Sequence, residues 1–309
     1  MTIRLALQIP NFSYGTGVSE LFPTVIAQAQ EAEAAGFDSV FVMDHFYQLP
    51  GLGAPEEPML EAYTALGALA TATQRVQLGT LVTGNSYRNP TLLAKAITTL
   101  DVISQGRAIL GVGTGWFQLE HDSLGYEFGT FTDRFKKLDE SLEIILPMLK
   151  GERVTVDGQY YTTHEAFANP RFREHIPLMI GGTGEKKTIP LAARHFDHLN
   201  LVCGFDELAR KIEVTNKRCE DIGRDPSTLE TSMLVFAIID ENVTEDFIPA
   251  DVKQRAVYGS PEQITEQITT KVLDAGVDGV VLSPVTNLDG YHPGRVTALA
   301  EVLRPALGL

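Results

Sequence analysis

EAAGFDSVFVMDHF, residues 33–46, contains a helix end, a turn and a buried strand in one short run. The helical pattern stops at Gly36, where a left-handed C-cap costs glycine little. Asp38 follows. Residues 39–43 then read as a strand whose last four residues, 40–43, form an apolar run without polar alternation, as expected of a strand covered on both faces. LDAGVDGVVL, residues 273–282, repeats the order: helix end, Gly276, Asp278, apolar strand. TQRVQLGT (73–80) and SQGRAILGV (104–112) form a second matched pair. Echoes of this kind point to a repeated βα unit.

Working outward, strand-like runs occupy 3–9, 39–43, 76–82, 108–113, 178–182, 198–202, 231–239 and 278–283. Helical patterns occupy 20–35, 59–73, 91–105, 134–149, 186–196, 206–222, 261–275 and 293–307. SPEQ (260–263) reads as an N-cap Ser, a Pro at the first helical position and a capping-box Gln. Eight strands, each followed by a helix, predict a (β/α)8 TIM barrel. An open doubly wound sheet is the alternative, with its ligand site at a switch point. Long connections near 114–133, 151–177 and 241–258 read as insertions into one domain spanning 1–309.

The formal charge of −15 argues against nucleic acid or an anionic membrane as partner, since both require a basic footprint. Cys203 and Cys219 match neither a zinc spacing nor a disulfide framework, which suits a reducing compartment. The N-terminus lacks the pattern of a signal peptide, and no apolar run reaches the ~18 residues of a membrane span. A cytoplasmic protein is expected.

In a barrel, chemistry gathers at the C-terminal strand ends. No Lys ends a strand, which disfavours Schiff-base chemistry. The strand ends hold too few His and carboxylate groups for a metal site, and no G-x-S-x-G elbow is present. GGTGEKKT (181–188) offers Gly181, Gly182, Thr183 and Gly184 before a helix start, with Lys186 and Lys187 beside them. Such a loop binds phosphate, or is a tight turn with a solvated basic helix start. Gly113, Thr114 and Gly115 either permit close packing or line a flat ligand. Asp44 and His45 either cap the turn after strand two or face the cavity rim. By sequence alone Glu120 and His121 read as an exposed polar pair.

These residues, in this order, resemble the bacterial luciferase-like monooxygenase superfamily, and within it the branch that uses the deazaflavin coenzyme F420. The resemblance covers nearly the whole chain. It rests on FVMDHF (41–46), on residues 77–116, on EHDSLGYEF (120–128), on TDRFKKLDESLEII (132–145) and on PLMIGGTGEKKTIPLAARHFDHLNL (177–201). It implies a luciferase-like TIM barrel with the cofactor across its mouth. A strand-three bulge with a non-prolyl cis peptide at Leu81-Val82, followed by Thr83, would wedge against one face of the ring. Asp44 would hydrogen-bond the ring, and Gly113, Thr114 and Gly115 would line it. The 181–184 loop would bind the phosphate, and Arg88, Lys186 and Lys187 would form a cationic rim for the acidic tail. His45 would sit beside the reactive carbon. The sugar-phosphate dehydrogenases of this family carry a Glu directly after GTG. Here Trp116 stands there, and Glu120 and His121 are the candidate substitutes.

The resemblance thus implies an F420-dependent oxidoreductase that transfers a hydride to or from a small organic substrate, with a homodimer as its assembly. An FMN-dependent two-component monooxygenase and a non-catalytic flavin-binding barrel are the alternatives. Either His45 or Glu120 serves as proton donor. Residues 46–58, 116–133 and 241–258 are expected to shape the substrate pocket, with Phe46, Tyr47, Trp116 and Phe117 at an aromatic entrance.

Overall fold

A computed structural model describes residues 3–248, 252–284 and 291–309. Its principal strands are β1 (Leu5–Ile9), β2 (Ser39–Val42), β3 (Gln77–Thr80), β4 (Ala108–Gly113), β5 (Leu178–Gly181), β6 (His198–Leu201), β7 (Glu230–Ile239) and β8 (Gly279–Pro284). Each is parallel to its neighbours in chain order, and β8 returns to β1. The pairing of β6 with β7 closes the ring, which decides for the (β/α)8 barrel over the open sheet.

The helices are α1 (Val18–Ala34), α2 (Ala62–Ala72), α3 (Pro90–Ile103), α4 (Gln118–Leu124), α5 (Phe131–Leu149), α6 (Thr188–His195), α7 (Phe205–Glu220), α8 (Pro261–Lys271) and α9 (Arg295–Ala306). Their starts are chemically marked. Asn89 accepts from the N–H groups of Thr91 and Leu92 ahead of α3, with Pro90 as its first residue. The capping box of Ser260 and Gln263 forms as expected, and Thr130 and Asp133 build another for α5. Gly36 and Gly276 both adopt positive φ after their helices, as the repeated motif requires. Among the described residues no helix is long and apolar enough to cross a membrane.

Strand residues alternate between two cores. One set, including Leu5, Leu7, Val40, Val42, Leu110 and Ile180, packs under the helices. The other, including Ala6, Phe41, Ile109, Met179, Leu234 and Val281, fills the barrel. Both faces of every strand are therefore covered, which is why the runs lack polar alternation.

The insertions hold structure that the sequence did not reveal. Residues 114–133 contain α4. Residues 151–177 contain an antiparallel hairpin, Val154–Asp157 with Thr162–Ala166. Its second strand is largely exposed, so no apolar face marks it. The stretch 241–258, of which 249–251 lie outside the described residues, ends in a short strand, Ala256–Gly259. That strand pairs parallel with the outer half of β7, beyond the point where β6 stops. The run predicted as strand 76–82 ends at Thr80 and resumes as Thr83–Gly84 against β4.

Two glycines separate packing need from backbone freedom. A Cβ at Gly111 in β4 would collide with the Thr80 carbonyl, whereas one at Gly67 in α2 would meet nothing within 4 Å. Gly67→Ala should stabilise the protein by about 0.5–1 kcal/mol, by removing the entropy cost of a helical glycine. Gly111→Ala should destabilise it by about 2 kcal/mol or more. Urea unfolding of both variants checks this, and similar effects at the two sites would refute it.

Candidate active site

The gap between β3 and its resumption shapes the barrel mouth. The Leu81-Val82 peptide is cis, as the resemblance implied. Gln8, reaching from β1, donates to the Leu81 carbonyl at 3.3 Å. Thr83 bonds Thr80 and Tyr63, each at 2.7 Å. Val82 then fits where its neighbours lack side chains. A Cβ on Gly113 would lie 2.9 Å from it, and one on Gly181 3.2 Å from it.

Asp44 and His45 separate at the end of β2. Asp44 is buried and does not line the cavity. Its carboxylate accepts from Gly84 N at 3.1 Å and from Arg88 Nε at 2.8 Å, and it pairs with Arg88 Nη2 at 2.5 Å. The Tyr87 hydroxyl donates to its backbone carbonyl. That carboxylate is thus taken up by the chain leaving the bulge, and Arg88 pairs with both Asp44 and Glu61, the latter at 2.7 Å. Burial alone would raise Glu61, but hydrogen bonds from Thr64 and Arg88 outweigh it and hold the carboxyl at about 2.

His45 takes the other direction and lines the cavity. Its Nδ1 lies 3.0 Å from Glu120 Oε2, while its Nε2 has no partner among the described residues. The ring packs edge-on against Trp116 and Phe117. Glu120 is fully buried, correcting the reading of an exposed pair. Its other oxygen accepts from the N–H groups of Phe46 and Tyr47, and bonds of this kind are what a buried carboxylate needs. Tying the loop after β2 to α4, Glu120 holds the imidazole in one orientation.

His121 is also fully buried, but it faces away from the cavity. Its Nδ1 meets the Phe117 carbonyl at 2.9 Å and its Nε2 meets Ser86 Oγ at 2.7 Å. With both ring nitrogens used, His121 leaves the set of candidate catalytic groups. It packs between Tyr87 and Phe128 as a structural residue.

The cavity measures about 570 Å³. The bulge supplies Leu81, Val82 and Thr83. The β4 end supplies Gly113, Thr114 and Gly115, and the β5 end supplies Gly181, Gly182, Thr183 and Gly184. Among the described residues, the N–H groups of Thr183 and Gly184 donate to no acceptor. Lys186 is exposed and does not line the cavity, whereas Lys187 lies over Phe131 and Phe135. The three loops expected to shape the pocket contribute Leu49 and Leu52, then Trp116, Phe117 and Phe131, and finally Arg255. Phe46 and Tyr47 do not line it; Phe46 packs on Tyr87 and Tyr126. Gln8, Tyr87, Thr188, Asn200 and Phe236 also line it, unanticipated. Gln8 and Asn200 were visible only as polar residues inside otherwise apolar strands.

The profile of luciferase-like monooxygenases matches residues 3–246. An F420-dependent glucose-6-phosphate dehydrogenase of Microbacterium testaceum (strain StLB037) is 39% identical over 191 residues, covering 61% of this chain and 54% of that protein. A protein of the same name from Kineococcus radiotolerans (strain ATCC BAA-149 / DSM 14245 / SRS30216) is 30% identical over 272 residues, covering 84% and 76%. The chain thus spans about half the length of the Microbacterium relative and about three quarters of the Kineococcus one. In fold, it is similar to an F420-dependent secondary alcohol dehydrogenase in complex with an F420-acetone adduct. The TM-score is 0.84 at 22% identity, over 99% of each chain.

The Asp44–Arg88 pair yields a stability prediction. Arg88→Met strands a buried carboxylate and should cost about 3–5 kcal/mol. Glu61→Gln, at a side chain 40% exposed, should cost under about 1 kcal/mol at neutral pH. Since Glu61 is depressed to about 2, its contribution is complete above the ordinary carboxylate range and is lost as pH falls towards that value. Wild type should therefore lose more stability than Glu61→Gln between pH ~5 and ~2.5. Thermal unfolding across pH tests both statements; parallel acid profiles would refute the second.

Proposed function

The chain belongs to the luciferase-like monooxygenase family, and we propose that it is an oxidoreductase working with coenzyme F420 on a small organic substrate. The observation that carries this reading is His45, held at the cavity wall by a buried Glu120 with its Nε2 unpartnered among the described residues. The relatives named as F420-dependent dehydrogenases support the choice of cofactor.

The residues present fit such a group. The Leu81–Val82–Thr83 bulge and the bare glycines at 113 and 181 suit the face of a flat ring. The unpaired N–H groups of Thr183 and Gly184 suit a phosphate. When bound, the deazaflavin supplies or accepts a hydride at a ring carbon. The protein's part is to bring substrate to that carbon and manage the accompanying proton. A proton on Nδ1, held by the Glu120 carboxylate, leaves Nε2 to take a proton from a substrate hydroxyl or, once protonated, to return it to a carbonyl. Glu120 thereby acts through His45 as its positioning residue. Leu49, Leu52, Trp116, Phe117, Phe131 and Phe135 close the surrounding volume with apolar surface. Among the described lining residues Arg255 alone carries a permanent positive charge. We therefore read the substrate as an apolar alcohol or carbonyl compound rather than a sugar phosphate. We further read residues 1–309 as one domain with insertions, and the protein as a cytoplasmic homodimer; its two buried, free cysteines suit a reducing compartment.

Titration with oxidised F420 and with FMN, followed by fluorescence quenching, should show binding of F420 in preference to FMN. Tight binding of FMN with none of F420 would overturn the cofactor assignment. With a turnover assay in hand, His45→Ala should lower kcat by about 10²–10⁴-fold. Its affinity for F420 should stay within about twofold, well under the 1.4 kcal/mol that a tenfold change represents. An unchanged kcat would remove His45 from the chemistry.

A further inference from the structure

Below the cavity, inward-facing polar side chains of β6 and β7 form a chain across the barrel. His198 stands opposite Glu230, and Asn200 stands opposite Ser232. His198 Nε2 and Ser232 Oγ are 2.7 Å apart, and Asn200 Nδ2 donates to the same Oγ at 2.8 Å. The Glu230 carboxylate lies 3.8 Å from His198 Nδ1. Asn200 is fully buried and lines the cavity, yet its Oδ1 has no hydrogen-bond partner among the described residues. A buried amide oxygen left unmatched at a cavity wall calls for a donor from outside the protein.

The chain has a direction. Burial, outweighing Glu230 and Asp278, keeps the His198 imidazole below its ordinary range, so the ring is neutral near pH 7. Its single proton belongs on Nδ1, facing the Glu230 carboxylate, because the opposite tautomer would set two acceptors against each other. Nε2 then accepts from the Ser232 hydroxyl, and Ser232 Oγ accepts from the Asn200 amide. The Glu230 charge, 3.8 Å away, sets the tautomer without a hydrogen bond, and the two bonds to Ser232 Oγ then leave Asn200 Oδ1 to the cavity.

We infer that Asn200 Oδ1 is a binding group that accepts a hydrogen bond from an N–H at the edge of a flavin-type ring, with Ser232, His198 and Glu230 as positioning residues that set its polarity. This rests on the reading that the cavity takes such a ring. F420 and FMN share a pyrimidine-dione edge with one N–H, so both are probes.

The test titrates full-length wild type, Asn200→Ala, Ser232→Ala and Ser232→Thr with oxidised F420 and, separately, with FMN. Unfolding temperature serves as the check on folding. Asn200→Ala should bind the preferred ring about 10-fold more weakly, the size of one well-placed hydrogen bond. Ser232→Ala, which frees the amide to turn, should weaken binding about threefold. Ser232→Thr keeps the hydroxyl and should restore affinity, a rescue that a purely structural role would not produce. Wild-type affinity in a folded Asn200→Ala variant would overturn the inference. Were that variant unfolded, equal affinities for Ser232→Ala and Ser232→Thr would do so. Binding of FMN alone would sink the F420 reading, and Asn200 would then be judged on the FMN series. Binding of neither ring would overturn both.

Discussion

A carboxylate with 1% of its side chain exposed must be paired, and at Asp44 this requirement organises the barrel mouth. Its partners, Gly84 N–H and the Arg88 guanidinium, lie on the chain just past the strand-three bulge. Pairing them therefore ties the end of β2 to the exit of the bulge. With Gln8 on the Leu81 carbonyl and Thr83 bonded to Thr80 and Tyr63, the bulge is held from both sides. Val82 can then reach the space left by Gly113 and Gly181. The Tyr87 hydroxyl returns to the Asp44 carbonyl, and Tyr87 packs with Phe46 and Tyr126 beside α4. Through this cluster the same pairing steadies the helix that carries Glu120.

Neighbours in sequence have opposite roles at this mouth. Asp44 turns to the bulge, while His45 turns to the cavity. Glu120 points at His45, while His121, ~100° round the helix, points at Ser86. The two buried acid-bearing positions thus divide the work. One pairs with the chain leaving the bulge, and the other holds the imidazole that lines the cavity. Beneath it, His198 and Asn200 both bond the Ser232 hydroxyl oxygen, with the Glu230 carboxylate 3.8 Å from the far side of the imidazole.

Much of the fold was legible because it rests on local rules. The glycine and aspartate punctuation at 36–38 and 276–278 marked two βα units, and unbroken apolar runs marked strands covered on both sides. The capping residue Ser260 placed the start of its helix within a few positions. The 154–166 hairpin escaped notice because its exposed second strand carries no apolar face. The strand at 256–259 escaped because it is short and lies behind an acidic stretch. In the candidate site, the glycine clusters at 113–115 and 181–184 could be found by their position at strand ends, while the bulge at 81–83 came only from the family resemblance. Gln8 and Asn200 could not, since a lone amide in a strand gives no sign of which way it faces.

By itself, then, the sequence determined the order of eight βα units, the strand ends around the mouth and the positions left bare of side chains. Those properties depend on hydrophobic period and turn chemistry, which act over a few residues. Only the tertiary structure decided that Asp44 belongs to Arg88, that Glu120 is buried against His45 while His121 is not, and that Asn200 leans on Ser232. These partners stand 44, 75 and 32 positions apart in the chain. Side chains so distant meet only when the barrel closes, and it is closure that removes water and makes each buried polar group find its match.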